Sequence, residues 1–166
     1  MIEDYRLLAA VIAAHPKREV VGRTRLQKTI KLLQRLGLPT SFGYSIHFYG
    51  PYSEDLQAGI TLLEVLGLAE EIPRQSTGGE TYYVERASAE ADPKLVKKFA
   101  SQIAVMAEAD PVVLELAATY DAFREEGDSP KDALARLKRK KGKKCDHGNW
   151  EKARKLLEEI GLRHFR

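Results

Sequence analysis

Apolar residues recur every three to four positions along most of the chain, and this spacing predicts helices. Two helices are expected near the start, from about Glu3 to Ala14 and from about Arg23 to Leu36. Ser53 suits the cap of a third helix, because its hydroxyl can accept from the first turn. The residues expected to face inward from that third helix are Leu56, Ile60, Leu63 and Leu66.

Two segments have the spacing of β-strands instead. Residues Tyr44 to Tyr49 alternate in character, which predicts a strand that the pair Gly50-Pro51 then interrupts. Further on, "LAEEIPR" and "ETYYVER" flank "QSTGG", the pattern of a hairpin with a glycine turn. Since an isolated hairpin is only marginally stable, the strand at 44–49 is predicted to join it as a third strand.

After Arg86 the pattern is entirely helical. Asp92-Pro93, Asp110-Pro111 and Ser129-Pro130 each place a capping residue before a proline, which predicts three helix starts. A last helix is expected near Asn149 to Ile160. The repeated "LGL", "LGL" and "IGL" predict helix ends closed by glycine.

The order helix, helix, strand, helix, hairpin predicts a mainly α protein with a winged-helix-like N-terminal half and a C-terminal helical bundle. We expect a winged-helix-like domain over residues 1–88 and a helical domain over 89–166 packed on it, or one domain containing both. In a winged helix, the helix before the hairpin would be the recognition helix.

The N-terminal half resembles a known family. "GRTRLQKTIKLLQRLG" and "FGYSIHFYGPYSEDLQAGITLLEVLGLAEE" are similar to the YwgA-like proteins and the related Panacea domain of SocA-type antitoxins. The tail from Ala133 to Leu162 resembles the YwgA-like proteins more faintly. The resemblance implies a small, mostly helical, non-enzymatic protein, and for Panacea relatives it implies neutralisation of a toxin by protein contact.

Composition and candidate chemistry add little. The net charge is +3, no apolar run approaches a membrane span, and the lone Cys145 fits a reducing cytoplasm. Cys145-Asp146-His147 is compact but lacks the ligands that zinc needs, and His47 has no evident catalytic partner. We therefore expect no catalytic residue, no cofactor, no metal and no enzymatic activity.

Charge is sorted along the chain. Between Glu19 and Glu54 there is no acidic residue, and helical spacing places three of the cations there on one face, which indicates a stripe that either faces anions or is simply solvated. The cations in this window are Arg23, Arg25, Lys28, Lys31 and Arg35. From Leu36 to Pro73 there is no Lys or Arg, so DNA reading by the presumed recognition helix is disfavoured.

A second basic segment is denser. "RLKRKKGKK" suits phosphate contacts, docking to an acidic protein, or a solvated loop. Its cations are Arg136, Lys138, Arg139, Lys140, Lys141, Lys143 and Lys144. The aromatic side chains of Tyr44, Tyr49 and Tyr52, with Phe48, either contact a partner or fill the joint between the strand and its helices.

These observations favour a cytoplasmic, regulatory binding module that acts through protein–protein contacts, antitoxin-like or an assembly partner. The alternative is a nucleic-acid-binding protein that uses the basic segments 23–35 and 136–144. A protein partner is expected, nucleic acid and a homo-oligomer stay open as partners, and no membrane contact is expected.

Overall fold

The computed structural model describes residues 2–163 of the chain. Helices dominate this range. They are α1 (Ile2–Ala13), α2 (Arg23–Arg35), α3 (Glu54–Val65), α4 (Ala100–Glu108), α5 (Pro111–Glu125), α6 (Pro130–Lys141) and α7 (Asn149–Ile160). Short 3₁₀ segments lie at Pro16–Arg18, Pro93–Phe99 and Gly142–Cys145.

Two small antiparallel sheets lie in the N-terminal half. The strands are β1 (Glu19–Val21), β2 (Ser45–His47), β3 (Gly50–Tyr52), β4 (Ala69–Gln75) and β5 (Thr81–Ala87). The first sheet has the order β1-β5-β4, and β2 pairs only with β3 as a two-stranded ribbon. The mainly helical class, with small sheets before a C-terminal helical half, is thus confirmed.

The prediction that the strand at 44–49 joins the hairpin is wrong. Its third strand is β1, which the sequence pattern had not indicated and whose Val20 lies opposite Glu85. The segment at 44–49 reverses after three residues instead, so that Ile46 faces Pro51 and His47 faces Gly50. Gly50-Pro51, predicted as a break, is therefore part of the returning strand.

The predicted caps at the helix starts and the glycine-closed helix ends are confirmed. Each of Asp92, Asp110 and Ser129 accepts a hydrogen bond from a backbone N–H of the helical turn that it caps. At the "LGL" ends, Leu38 N donates to Leu33 O at 2.8 Å, the bond of a glycine-closed terminus. One inward prediction fails: Leu66 lies beyond the last turn of α3 and is 57% exposed.

The buried apolar side chains of both halves form one cluster. Leu8, Ile30 and Leu63 from the first half belong to the same core as Ile103 and Phe123 from the second. The division into 1–88 and 89–166 stays a prediction, and its last three residues, 164–166, lie outside the described residues. No helix within residues 2–163 has both the length and the apolar character needed to span a bilayer.

Candidate functional site

The two sequence blocks that carry the family resemblance are bonded to each other. The buried Gln27 amide donates to Ser53 O and accepts from Ser53 N, both at 2.9 Å. Lys28 Nζ donates to Pro51 O at 2.7 Å. Ser53 also caps α3 through Leu56 N. These residues therefore form a clip that fixes the β2–β3 ribbon to α2, and their first role is architectural.

The predicted aromatic contacts divide into inner and outer residues. Tyr44 donates its hydroxyl to Gln27 O at 3.1 Å, and burial raises its pKa. Tyr52 is half-buried and packs against the ring of His47, with centroids 5.0 Å apart. His47 Nε2 in turn is hydrogen bonded to Ser45 Oγ at 2.9 Å. Tyr44 and Tyr52 thus build the ribbon, as the architectural interpretation expected.

Phe48 and Tyr49 form the turn of the ribbon and project outward; we call this pair the aromatic tip. Phe48 is 78% exposed and Tyr49 is 55% exposed, and their rings meet edge to face at 4.9 Å. The following Gly50 has φ of +92°, and a Cβ there would overlap Thr119 Oγ1 on α5. Glycine therefore lets the ribbon lie directly on α5, which presents the tip to solvent.

The basic stripe expected on the surface of α2 is internal. Lys28 and Lys31 are only 3% and 5% exposed. Lys31 Nζ lies 2.6 Å from Glu125 Oε1, and Arg35 Nε lies 2.8 Å from Oδ2 of the fully buried Asp121. The prediction of an anion-facing stripe at Lys28, Lys31 and Arg35 is wrong, because α5 covers that face and supplies the countercharges.

The two remaining cations of α2 also have internal partners. Arg23 pairs with Glu71 at 2.8 Å and lies 3.7 Å above the ring of Tyr83. Arg25 donates to Met106 O at 2.7 Å and to Val21 O at 3.2 Å. Each therefore joins α2 to a neighbouring element.

The fold does bring the two basic segments together, at the buried Glu115 of α5. Lys141 Nζ lies 3.2 Å from Glu115 Oε1 and Lys144 Nζ lies 3.0 Å from its Oε2. Lys28 is close enough for the field of Glu115 to act on it, but burial dominates and lowers the pKa of Lys28 to about 8. Burial likewise lowers the pKa of Lys141. Two lysines of the second segment therefore pair with this carboxylate, and Lys28 of the first segment lies within its field.

A surface cavity of about 220 Å³ opens beside this cluster. Its wall carries cations from both basic segments, the Tyr49 ring and an apolar strip at the start of α5. The lining residues are Thr24, Arg25, Lys28, Tyr49, Pro111, Val112, Leu114, Glu115 and Lys144. With three cations and one carboxylate, the cavity favours an anionic group.

Above the cavity, the end of α6 is tied to the aromatic tip. Lys141 Nζ donates to Phe48 O at 2.9 Å, and Lys144 Nζ lies 5.0 Å from the centre of the Tyr49 ring. Arg136 is used internally, since it pairs with Glu126 at 2.7 Å.

The other four cations of this segment are exposed, and no ion pair to them is found among residues 2–163; we call them the basic ridge. They are Lys138, Arg139, Lys140 and Lys143.

The presumed recognition helix presents no cation at all. The exposed positions of α3 are acidic, polar or small, including Glu54, Asp55 and Gln57, except for the apolar Val65 in its last turn. Contact with phosphates along this helix is therefore unfavourable, as the sequence indicated.

The sequence reasoning missed the acids of α5. Glu115 and Asp121 are buried among the apolar side chains of α5, and a carboxylate at such a position needs a cationic partner. That pattern was available in the sequence and would have shown that some of the lysines of α2 and α6 are internal.

Cys145, Asp146 and His147 lie beside a separate cavity with Trp150. Cys145 is only 8% exposed, and this burial raises the pKa of its thiol. Within residues 2–163, these three side chains do not form a group whose ligand atoms converge on one point.

Comparison with known proteins shows one partial similarity worth stating. The chain is 40% identical over 65 residues to the uncharacterized protein YwgA of Bacillus subtilis (strain 168). The match covers 39% of this chain and 39% of that relative, and no protein-family model matches the chain. The chain is thus similar to YwgA over part of its length, and that similarity carries no activity with it.

Proposed function

We propose that the protein is a non-enzymatic binding module that captures an acidic protein partner through the aromatic tip and the basic ridge. The observation that carries the proposal is their adjacency: the backbone of the exposed Phe48 is held by Lys141, whose neighbours in sequence include the exposed cations of the basic ridge. Aromatic side chains are enriched among the anchors of protein contacts, and charges around them steer and orient the partner.

Charge and shape agree with such a partner. The tip projects from the surface, so it suits insertion into an apolar pocket of another protein. The ridge would meet carboxylates around that pocket, and the cavity beneath Tyr49 would accept one more acidic side chain between Arg25 and Lys144. The antitoxin-like form of this role depends on the resemblance to the Panacea domain, to which the comparisons with known proteins add no support.

The experiment compares capture by matched variants of the tagged full chain in nuclease-treated lysate of its own cells. Phe48→Ser with Tyr49→Ser removes the tip, and Val65→Ser is its control, because Val65 is also 78% exposed but lies on α3. Charge reversal at Lys138, Lys140 and Lys143 removes the ridge. Reversal at the exposed Lys94, Lys97 and Lys131 is its control, with the same change in net charge.

The proposal expects a captured protein that both site variants lose and both controls retain. The purified partner should bind the wild type at least about tenfold more tightly than either site variant, as expected for loss of anchor residues. Capture that is equal for all four variants would contradict the proposal.

Single-stranded nucleic acid is the second candidate, favoured by the position of Lys144 over the Tyr49 ring and by the exposed cations of the basic ridge. Bases stack on exposed rings and phosphates follow the cations, so affinity should fall steeply with salt. A fluorescent dT20 oligonucleotide tests it directly. Micromolar binding that the ridge reversal abolishes, together with no selectively captured protein, would replace the first proposal with this one.

A further inference from the structure

Three carboxylates converge far from the aromatic tip, between α3 and the hairpin sheet. Glu71 of β4 and Glu85 of β5 are direct cross-strand partners, and Glu64 comes from the last turn of α3. One oxygen of each lies within 4.8 Å of an oxygen of the other two. No other group of three His, Cys, Asp or Glu side chains converges in this way within the described part of the chain.

Glu85 is buried without a partner for one of its oxygens. The residue is 9% exposed, and its Oε1 is enclosed and has no hydrogen-bond donor. Burial, with the field of Glu64, raises the pKa of this carboxyl to about 8. An unsatisfied buried polar atom is costly, so it needs a physical explanation.

The opposite face of the same sheet shows how this fold treats a buried carboxylate. Glu19 is held by Arg74 at 2.8 Å and by Arg86 at 2.9 Å. The hydrogen bond from Arg74, with that from Arg86, lowers the pKa of Glu19 to about 2. Two arginines thus stabilise the charged form of Glu19, and Glu85 on the other face has neither.

Arg23 balances only part of the cluster. It pairs with Glu71 through Nε at 3.2 Å and an Nη atom at 2.8 Å, and its side chain is 60% exposed, so it covers the cluster from the solvent side. When all three carboxyls are ionised, as ligands of a cation would be, the one guanidinium leaves two negative charges. Beside the cluster, a cavity of about 20 Å³ is lined by Arg23, Glu71 and Glu85, though not by Glu64, and has room for one atom-sized guest.

We propose that Glu64, Glu71 and Glu85 bind one hard divalent cation of the class of Mg²⁺, Mn²⁺ and Ca²⁺. Such ions take carboxylate oxygens at about 2.0–2.6 Å, so ligands on opposite sides of one ion stand about 4 to 5 Å apart. The observed spacing falls within that limit. The bound ion joins α3 to β4 and β5, and it supplies the missing partner of Glu85 Oε1.

The test is calorimetric titration of EDTA-treated full-length protein with MnCl₂, MgCl₂ and CaCl₂ in turn. The wild type is expected to bind one equivalent of at least one of these ions. Glu85→Gln and Glu64→Gln are expected to weaken that binding at least about tenfold, since each removes a ligand charge without changing side-chain shape. Glu70→Gln is the control, because Glu70 neighbours Glu71 but faces the other side, near Arg86.

Paramagnetic broadening by Mn²⁺ locates the ion in the same sample. The amide signals near positions 64, 71 and 85 are expected to broaden first. Thermal melting checks that every variant is folded, and it should show a rise in melting temperature with the ion for the wild type and for Glu70→Gln.

Two results would overturn the site. One is no saturable binding of any of the three ions up to about 10 mM, which is about tenfold beyond the weak end of the range for known sites. In that case, a proton shared by Glu64 and Glu85 is the occupant. The other is unchanged affinity in Glu85→Gln and Glu64→Gln, or broadening that begins elsewhere on the surface.

Discussion

The two basic segments of this chain look alike in sequence and differ in the fold: all five cations of α2 have internal partners, whereas four of the seven cations at 136–144 are exposed. On α2, Lys31 and Arg35 are counterions of acids that lie 94 and 86 positions downstream. At the end of α6, the basic ridge has exposed cations and no ion pair among the residues described. The difference teaches that a run of lysines locates a binding surface only after the carboxylates that reach it are known.

One helix decides which lysines are internal. Its three acids, Glu115, Asp121 and Glu125, form ion pairs with Lys31, Arg35, Lys141 and Lys144. The four cations of the basic ridge are not among the ion pairs of α5 and stay exposed. Substitutions on α5 and at its contacts should therefore have the largest effects on stability.

The largest loss of stability is expected for Glu115→Ala. It leaves Lys141, which is nearly enclosed, without its carboxylate, so we expect a loss of about 4 kcal/mol in the free energy of unfolding, as for other broken buried ion pairs. Urea unfolding measures it. The control Glu126→Ala opens an exposed pair with Arg136 and should cost under about 1 kcal/mol. Equal losses for the two variants would mean that Glu115 is not a buried countercharge.

Gly50→Ala tests the close packing of the β2–β3 ribbon on α5. The substitution adds backbone strain at positive φ and a clash with Thr119, and we expect it to cost about 3 kcal/mol. Gly67→Ala is matched in strain, since φ is +71°, but no atom lies within 4 Å of its Cβ, so it should cost about 1 kcal/mol. Thermal melting compares them, and the same loss in both would remove the close approach from the account.

Replacing one lysine of each segment makes the comparison sharper. Lys31→Ala removes a buried stem and an ion pair to Glu125 and should destabilise the protein by about 2 kcal/mol. Lys140→Ala removes an exposed cation and should change stability by no more than about 0.5 kcal/mol. Chemical denaturation of both variants checks this, and a larger cost for Lys140 would reverse their assignment.

The smallest effect is a pH dependence due to Lys28. Its pKa is lowered by burial from 10.5 to about 8, so between these values the unfolded chain binds more protons than the folded one. Stability should therefore rise with pH in this window, by between about 1 and 2 kcal/mol from about pH 8 to pH 9.5 from this residue alone. Lys28→Met lacks this contribution, and the difference between the two proteins isolates it. A constant difference across that window would contradict the lowered pKa.

Most of the helices could be predicted from the sequence, because their determinants are local. Capping by Asp92, Asp110 and Ser129 depends on neighbours within one turn, and so do the glycine-closed ends. The hairpin was predicted for the same reason. The pairing of β1 with β5 was not, because Glu19–Val21 has three residues and its partner lies more than 60 positions away.

The site was harder to predict because its parts meet only in the fold. Helical spacing placed Lys28 opposite the apolar face of α2, but spacing does not say that a second helix covers that side as well. The acidic cluster likewise combines Glu64, Glu71 and Glu85 from three elements, so no short sequence motif could have predicted it. What could be predicted was the density of charge between Arg136 and Lys144.

The most direct test of the central claim, that the lysines of α2 are internal and those of the ridge are free, is amine acylation of the native protein followed by mass spectrometry. Lys138, Lys140 and Lys143 should react as fast as in the unfolded chain. Lys28 and Lys31 should react at least about tenfold more slowly, because their amines become accessible only when the protein opens. Equal rates for the two groups, or slow reaction throughout the ridge, would contradict the account.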